Sequence, residues 1–407
     1  MTLEILSIGN ELLSGHTINS NASVMGQALL PHGFSVDKVT LLPDEGDLLK
    51  KGIEEAIKRS SFVITTGGLG PTGDDLTRDV VAEIFNTSLV KDESVAADLI
   101  ERFGKNLPTL EDQAMVPKGA IVIPNPLGTA PGFILEGTAT LFVLPGVPEQ
   151  MEVMLPTVLA YLEKHYTKSH YVESLYLCLL SEQQVDPYLR VLEKENPGVD
   201  IGICPGYGVL SVYIHGEDPK KLSPIRDQVA KKFKAHVFSI SSKQIETAFH
   251  EWMVQNKKTF AAAESCTGGH LSARLTNHSG SSSYFLGSVV SYSNQLKETA
   301  LGVSLKTLKA HGAVSEEVVL EMVAGIKKLT GADYAIAISG IAGPDGGTAK
   351  KPVGTVWSAI STPDKTFAGR IPIKGSMRSR TLIIEYTVTY LLASLFRYLV
   401  YNIEPYR

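Results

Sequence analysis

Phe62-Val63-Ile64-Thr65-Thr66-Gly67-Gly68-Leu69-Gly70-Pro71-Thr72-Gly73-Asp74-Asp75-Leu76-Thr77 decides the architecture of the first part of this chain. Its first five residues are an aromatic followed by a continuous β-branched run, the pattern of a strand covered on both faces. Four glycines then fall within seven residues, and Thr77 opens a helical segment reaching Phe85. Glycine takes positive φ without strain and lets backbone approach a ligand closely. A strand that turns through glycines into a helix is the repeating unit of an α/β sheet, whose ligands collect at the carboxyl ends of the strands.

The same alternation extends outward on both sides. Strands are predicted at Leu3–Ile8, Ser35–Leu42, Ala120–Ile123 and Thr140–Leu144. Helices are predicted at Ile18–Leu30, Asp47–Lys58 and Pro148–His165, the last opened by a proline in its first turn. Residues 1–168 therefore read as a doubly wound, mostly parallel α/β sheet. Residues 169–241 read as a small α+β domain of β-α-β-β-α-β order, with strands at Tyr171–Leu180, Asp200–Cys204, Val209–His215 and His236–Ile240. Residues 242–407 form a second α/β unit that closes on an apolar helix, Thr381–Tyr401.

Composition narrows the functional class. The chain has 407 residues, 43% hydrophobic and 20% charged, with a net charge of −5. That length implies two or three domains of an ordinary globular protein. No lysine- or arginine-rich run offers a nucleic acid an electrostatic footprint. Cys178, Cys204 and Cys266 form no CxxC, so neither a disulfide framework nor a structural zinc is indicated and a reducing cytoplasm fits. The N-terminus lacks the pattern of a signal peptide. Glu385 and Arg397 interrupt the closing helix, which reads as a buried or interface helix and not as a membrane span. Its residues Tyr386, Leu391, Leu395 and Leu399 are expected to be exposed and to favour a homo-oligomer, most simply a dimer.

Two stretches carry chemistry. In the first, Asp74 and Asp75 would repel a bare phosphate, but they suit one bridged by a divalent metal. The helix start at Thr77 would offer N–H donors. No Gly-Lys-Ser/Thr is present, so this is not a P-loop; a glycine turn with an aspartate cap is the plainer reading. Glu11, after the first strand, and the loop Asn125-Pro126-Leu127-Gly128-Thr129-Ala130-Pro131-Gly132 share the same rim.

The second stretch is Ala263-Glu264-Ser265-Cys266-Thr267-Gly268-Gly269, between the apolar run Lys258–Ala263 and a helical segment from His270. Taken alone it reads as a Ser/Thr helix cap with glycines that let the turn form. A nucleophilic Ser265 beside free N–H donors is the alternative. Ser265 and Cys266 are adjacent, so only one is expected to face a pocket. Of the 10 histidines, only His311 and His270 lie near these motifs, and a Ser-His-Asp arrangement is not suggested.

Both stretches resemble the CinA family. Gly9-Asn10-Glu11-Leu12, Gly67 to Thr72 with Asp74 to Thr77, Asn125 to Gly132 and Leu144-Pro145-Gly146-Val147-Pro148 are similar to that family's molybdopterin-binding-type domain. The resemblance implies metal-dependent cleavage of ADP-ribose at its pyrophosphate. Asp74, Asp75 and Glu11 would hold the metal. Gly67, Gly68, Gly70, Thr72, Asn125, Gly128 and Thr129 would meet the nucleotide. A pterin-handling enzyme is the alternative for this domain.

The resemblance continues through Glu264 to Gly269, Tyr292-Ser293-Asn294 with Lys297, Gly312 to Ser315 and Ser339 to Gly347, which look like the family's nicotinamide mononucleotide amidohydrolase domain. It implies conversion of nicotinamide mononucleotide and water to nicotinate mononucleotide and ammonia, with no cofactor. Ser265 would be the nucleophile and Lys297 the base. N–H groups of Thr267, Gly268 and Gly269 would hold the oxyanion, and Tyr292, Gly340, Gly343 and Asp345 would bind substrate. The family's Gly-Asp-Arg element is altered here to Gly375-Ser376-Met377-Arg378-Ser379-Arg380, so either Arg380 or Arg378 takes the phosphate. That departure also admits a degenerate protein that binds nucleotides as a regulatory or scaffold module. The expected partners are small-molecule nucleotides, with neither nucleic acid nor membrane.

Overall fold

Residues 2–73, 75–166, 170–373 and 379–406 are described by a computed structural model. Asp74 and the 374–378 segment with Arg378 lie outside the described residues. The chain divides into two compact units, residues 1–172 with 216–219, and residues 173–215 with 220–407.

The first unit holds a six-stranded sheet in the order Lys38–Leu42, Leu3–Ile8, Phe62–Thr66, Thr140–Leu144, Gly132–Glu136, Ile121–Ile123. The first four strands run parallel, and the last two are antiparallel additions at one edge. Side chains alternate across a strand, and both faces are buried here. Leu3, Ile5, Ile64, Phe142 and Leu144 pack on one side with Met25, Leu29 and Met151 from helices Ser20–Leu29 and Pro148–His165. Leu6, Val63, Leu141 and Val143 pack on the other side with Leu49, Ile53 and Val81 from helices Gly46–Arg59 and Thr77–Ile84. This is the expected doubly wound α/β layer. Strand Gly132–Glu136, the hairpin Leu89–Lys91 with Met115–Pro117, and helix Glu93–Phe103 were not legible in the sequence.

The second unit has two sheets. Val199–Pro205, Val209–Gly216, Tyr171–Cys178 and Val237–Ser239 form a four-stranded sheet in that order, with helices Glu182–Glu195 and Pro219–Lys232, as the β-α-β-β-α-β pattern predicts. Its Tyr176, Cys178 and Phe238 join the same apolar core as Val388 and Leu391 of the final helix. The five-stranded sheet has the order Phe285–Val290, Phe260–Glu264, Tyr334–Gly340, Val356–Ser361, Thr366–Arg370, the first three parallel and the rest antiparallel. Ala261, Ala263, Ala335, Ala337 and Ala359 line one face of it. Such small side chains let helix Glu316–Thr330 pack closely. The interior strand Phe260–Glu264, paired on both sides by parallel neighbours, ends at Ser265, so the serine turn lies at the carboxyl end of the parallel part of the sheet.

Helix Arg380–Tyr401 is long and apolar enough, by length and composition, to cross a membrane, but 61% of that window is buried within the protein. Leu391 and Leu395 are completely covered, and Tyr386 and Leu399 pack against the core. The expected exposed face does not exist, because the whole α+β sheet and the C-terminal sheet share this helix as a common core element. The ground for self-association given by those four residues is withdrawn.

Candidate functional sites

After Glu264 the backbone turns through Gly268 and Gly269, at φ 60° and 97°. Side chains other than glycine are strained there. The fully buried Glu264 carboxylate fastens the turn. It accepts the N–H groups of Gly269, Leu271 and Ser272 at 3.1, 3.1 and 3.0 Å and the Ser272 hydroxyl at 2.5 Å. Glu264, and not Ser265, therefore caps the following helix, His270–Thr276.

Freed of capping, Ser265 meets Lys297. Lys297 sits on helix Asn294–Leu301, whose N-cap Ser293 accepts the N–H of Leu296. The Lys297 ammonium nitrogen lies 2.9 Å from Ser265 Oγ and 2.6 Å from the Ser291 carbonyl oxygen. Lys297 is 1% exposed and makes no ion pair among the described residues. Burial depresses its pKa below the ordinary lysine value, with only the nearby Cys266 opposing. A neutral amine keeps two N–H donors and a lone pair. One donor can stay on Ser291 while the lone pair accepts the Ser265 hydroxyl proton, which is what a general base requires. Cys266 is buried, and burial pushes its thiol up to about 12, so it is no thiolate at neutral pH.

These groups line a cavity of about 270 Å³. Ser265, Lys297, Tyr292, Gly340, Gly343, Asp345 and Arg380 all reach it, and so does Cys266, which is not the purely internal residue that its adjacency to Ser265 suggests. Arg380 donates to the Gly343 carbonyl at 3.0 Å and to the Tyr292 hydroxyl at 2.9 Å, so residues 88 apart in sequence form one wall. Gly343 has φ 79°, and a Cβ there would meet Val353 Cγ1 at 2.6 Å. The loop needs that glycine for packing.

One expectation fails. The N–H groups of Gly268 and Gly269 are not available to an oxyanion, because they donate to the Ser265 carbonyl at 3.0 Å and to Glu264. The Thr267 N–H carries no hydrogen bond among the described residues, and the Cys266 N–H meets only its own thiol. The Thr267 hydroxyl is buried without a partner among the described residues. Sequence reasoning missed the Ser291 carbonyl, since every residue has one, and the capping role of Glu264, an acid a few residues ahead of the helix start.

The first unit has its own cavity, of about 520 Å³. Glu11, Asp75, Gly67, Gly68, Gly70 and Thr129 line it, together with Asp44. Thr72, Asn125 and Gly128 do not. Asp75 accepts the Thr72 N–H at 3.0 Å and makes a short contact with its hydroxyl, so Thr72 braces the aspartate. Asn125 is buried and fully engaged, donating to Ala130 and Gln150 and accepting from Leu127 and Gly128. It holds its loop in shape. Cβ atoms on Gly67 and Gly68 would meet Ile8 O at 2.2 Å and Thr77 Oγ1 at 2.1 Å. The Thr77 N–H donates to the Gly68 carbonyl and is not free for phosphate. Among the described residues, no three histidine, cysteine or carboxylate side chains cluster closely enough to hold a metal ion. Glu11 and Asp75 offer the hard oxygen donors that suit a divalent ion, but too few to cage one without phosphate oxygens.

Residues 4–164 match the family model described as a probable molybdopterin binding domain, and residues 242–399 match that of the CinA C-terminal domain. A CinA-like protein of Fervidobacterium nodosum is 36% identical over 395 residues, covering 94% of this chain and 96% of that one. Another, of Geotalea uraniireducens, is 36% identical over 400 residues, covering 95% of each. The crystal structure of the competence damage-inducible protein A from Klebsiella pneumoniae is 36% identical and covers 39% of this chain and 96% of its own, with a TM-score of 0.37. With both domains matched in order and relatives aligned along nearly the whole length, the chain belongs to the CinA family.

Proposed function

We propose that the second unit is a nicotinamide mononucleotide amidohydrolase of the cytoplasm, recycling pyridine nucleotides. The observation that carries this reading is the 2.9 Å contact of a buried, unpaired Lys297 with Ser265 Oγ at the mouth of a cavity. Neutral Lys297 takes the Ser265 proton as Oγ bonds to the carboxamide carbon. The carbonyl oxygen becomes an oxyanion, for which the backbone N–H groups that follow Ser265, those of Cys266 and Thr267, are the candidate donors. Collapse breaks the C–N bond, and the Lys297 proton leaves with ammonia. Water, deprotonated by Lys297, then attacks the acyl-serine; the C–Oγ bond breaks to release the carboxylate, and the Lys297 proton returns to Ser265 Oγ. Arg380, joined to Tyr292 on the cavity wall, would take the substrate phosphate. Ammonia release from nicotinamide mononucleotide by the whole chain tests the reading. Loss of release in Ser265→Ala with retention in Cys266→Ala is expected. Activity that survives Ser265→Ala would overturn it.

A second reading concerns the first unit, where Glu11, Asp44 and Asp75 face one cavity walled by Gly67, Gly68 and Gly70. ADP-ribose, cleaved at its pyrophosphate, suits glycine backbone and carboxylates together. A divalent ion shared between Glu11, Asp75 and the phosphates would neutralise charge there. Turnover of ADP-ribose, against mere thermal stabilisation by a pterin or by ADP-ribose without cleavage, separates this reading from the pterin and regulatory alternatives.

A further inference from the structure

The final helix has a second polar stripe that the serine chemistry does not use. Tyr386, Tyr390, Ser394 and Arg397 are spaced by four, four and three residues, so they stack along one face. They open into a cavity of about 390 Å³ between the four-stranded sheet and the C-terminal residues, closed by His236, Pro405 and Tyr406. Seams between subdomains, with a few convergent polar groups, are where small-molecule sites form.

The chemistry of the walls is specific. Tyr386, Tyr390 and Tyr406 form a chain of rings, with centroid separations of 6.1 and 6.4 Å and interplanar angles of 36° and 35°. Arg397 donates its Nε to the Ala235 carbonyl at 2.8 Å, which fixes the guanidinium, and it makes no ion pair among the described residues. Its terminal nitrogens remain for a ligand. His236 Nδ1 lies 2.9 Å from the Cys178 carbonyl. In the neutral ring that nitrogen carries the proton and donates, leaving Nε2 as an acceptor. Glu404 is also on the wall, 3.4 Å from Lys365. One fixed guanidinium, with the Glu404 carboxylate lining the same cavity, favours a singly charged anion over a dianionic phosphate.

We propose that this seam cavity is a binding site for a planar aromatic carboxylate, its ring against the tyrosines and its carboxylate on Arg397. The site is separate from the Ser265 cavity and does not depend on the proposed reaction.

The test uses the full chain with 2-naphthoate as probe, followed by its fluorescence, and neutral 2-naphthamide as control. Saturable binding of the acid at millimolar concentration or below is expected, with the amide weaker by about tenfold or more. Arg397→Gln should weaken naphthoate by about the same factor, and Arg397→Lys should recover part of it, which a merely misfolded protein would not do. Tyr386→Ala, at a partly exposed position, should weaken acid and amide alike. Ser265→Ala should leave binding unchanged. Absence of saturable binding, equal binding of acid and amide, or insensitivity to both Arg397→Gln and Tyr386→Ala overturns the proposal.

Discussion

Lys297 Nζ stands 2.9 Å from Ser265 Oγ across 32 residues of sequence, and the carbonyl of Ser291 holds it there. The geometry makes Ser265 useful only when the amine is neutral. Ser265→Ala is therefore expected to reduce ammonia release from nicotinamide mononucleotide by about a thousandfold or more. Cys266→Ala is expected to keep most of the turnover. An ammonia assay under saturating substrate decides between them.

The pH dependence follows from the same burial. Lys297 titrates below the ordinary lysine value of 10.5, so activity should rise with pH through that depressed pKa, seen as the ascending limb of a kcat/KM profile. The stability consequence has a fixed sign. Between the depressed pKa and 10.5 the unfolded chain binds the extra proton, so stability rises with pH across that window. Lys297→Met lacks this dependence. The variant should be the more stable protein near neutral pH, and the gap should close as pH approaches 10.5. Urea melts at several pH values measure it.

Glu264 is the hidden support of the turn. Glu264→Ala leaves three backbone donors without their acceptor, that of Leu271 buried and those of Gly269 and Ser272 partly buried, and should cost about 2–4 kcal/mol in denaturant unfolding. Glu264→Gln keeps one acceptor oxygen and should cost less. Both should depress kcat more than they raise KM, because the turn positions Ser265.

Arg380 and Tyr292 share a hydrogen bond at the cavity wall. Arg380→Met is expected to raise KM for nicotinamide mononucleotide by about 10- to 100-fold, through loss of a charge-assisted contact to phosphate. Tyr292→Phe frees the guanidinium and should raise KM less. Nicotinamide riboside, which lacks the phosphate, should be insensitive to Arg380→Met. Steady-state kinetics with both compounds provides the check.

In the first unit, ADP-ribose cleavage should stop on chelation of divalent ions and return on their addition. Asp75→Asn and Glu11→Gln should each reduce it by about 10²-fold. Ammonia release should be indifferent to the chelator. Product analysis of the same sample with both substrates distinguishes the two sites.

Much of the architecture was legible because local pattern and burial agree. The aromatic and β-branched run Phe62–Thr66 is covered on both faces, and the β-α-β-β-α-β rhythm of the middle segment survives intact. Strand Gly132–Glu136 was not legible. It follows a loop of glycines and prolines, and its pairing with Thr140–Leu144 is antiparallel inside a mostly parallel sheet. Leu391 and Leu395 were misread as surface, since an amphipathic stripe does not say whether a partner subdomain covers it.

At the site, the sequence alone determined which residue types are present: a serine after a strand, glycines that permit its turn, and a lysine in the segment that follows a second strand. Local spacing constrains backbone conformation, so those were readable. Tertiary structure decided what each does. It gave the capping role to Glu264, occupied the Gly268 and Gly269 N–H groups, removed water from Lys297 and brought Arg380 to Tyr292. Protonation state and hydrogen-bond competition depend on surroundings drawn from distant parts of the chain, and no single stretch of sequence carries that information.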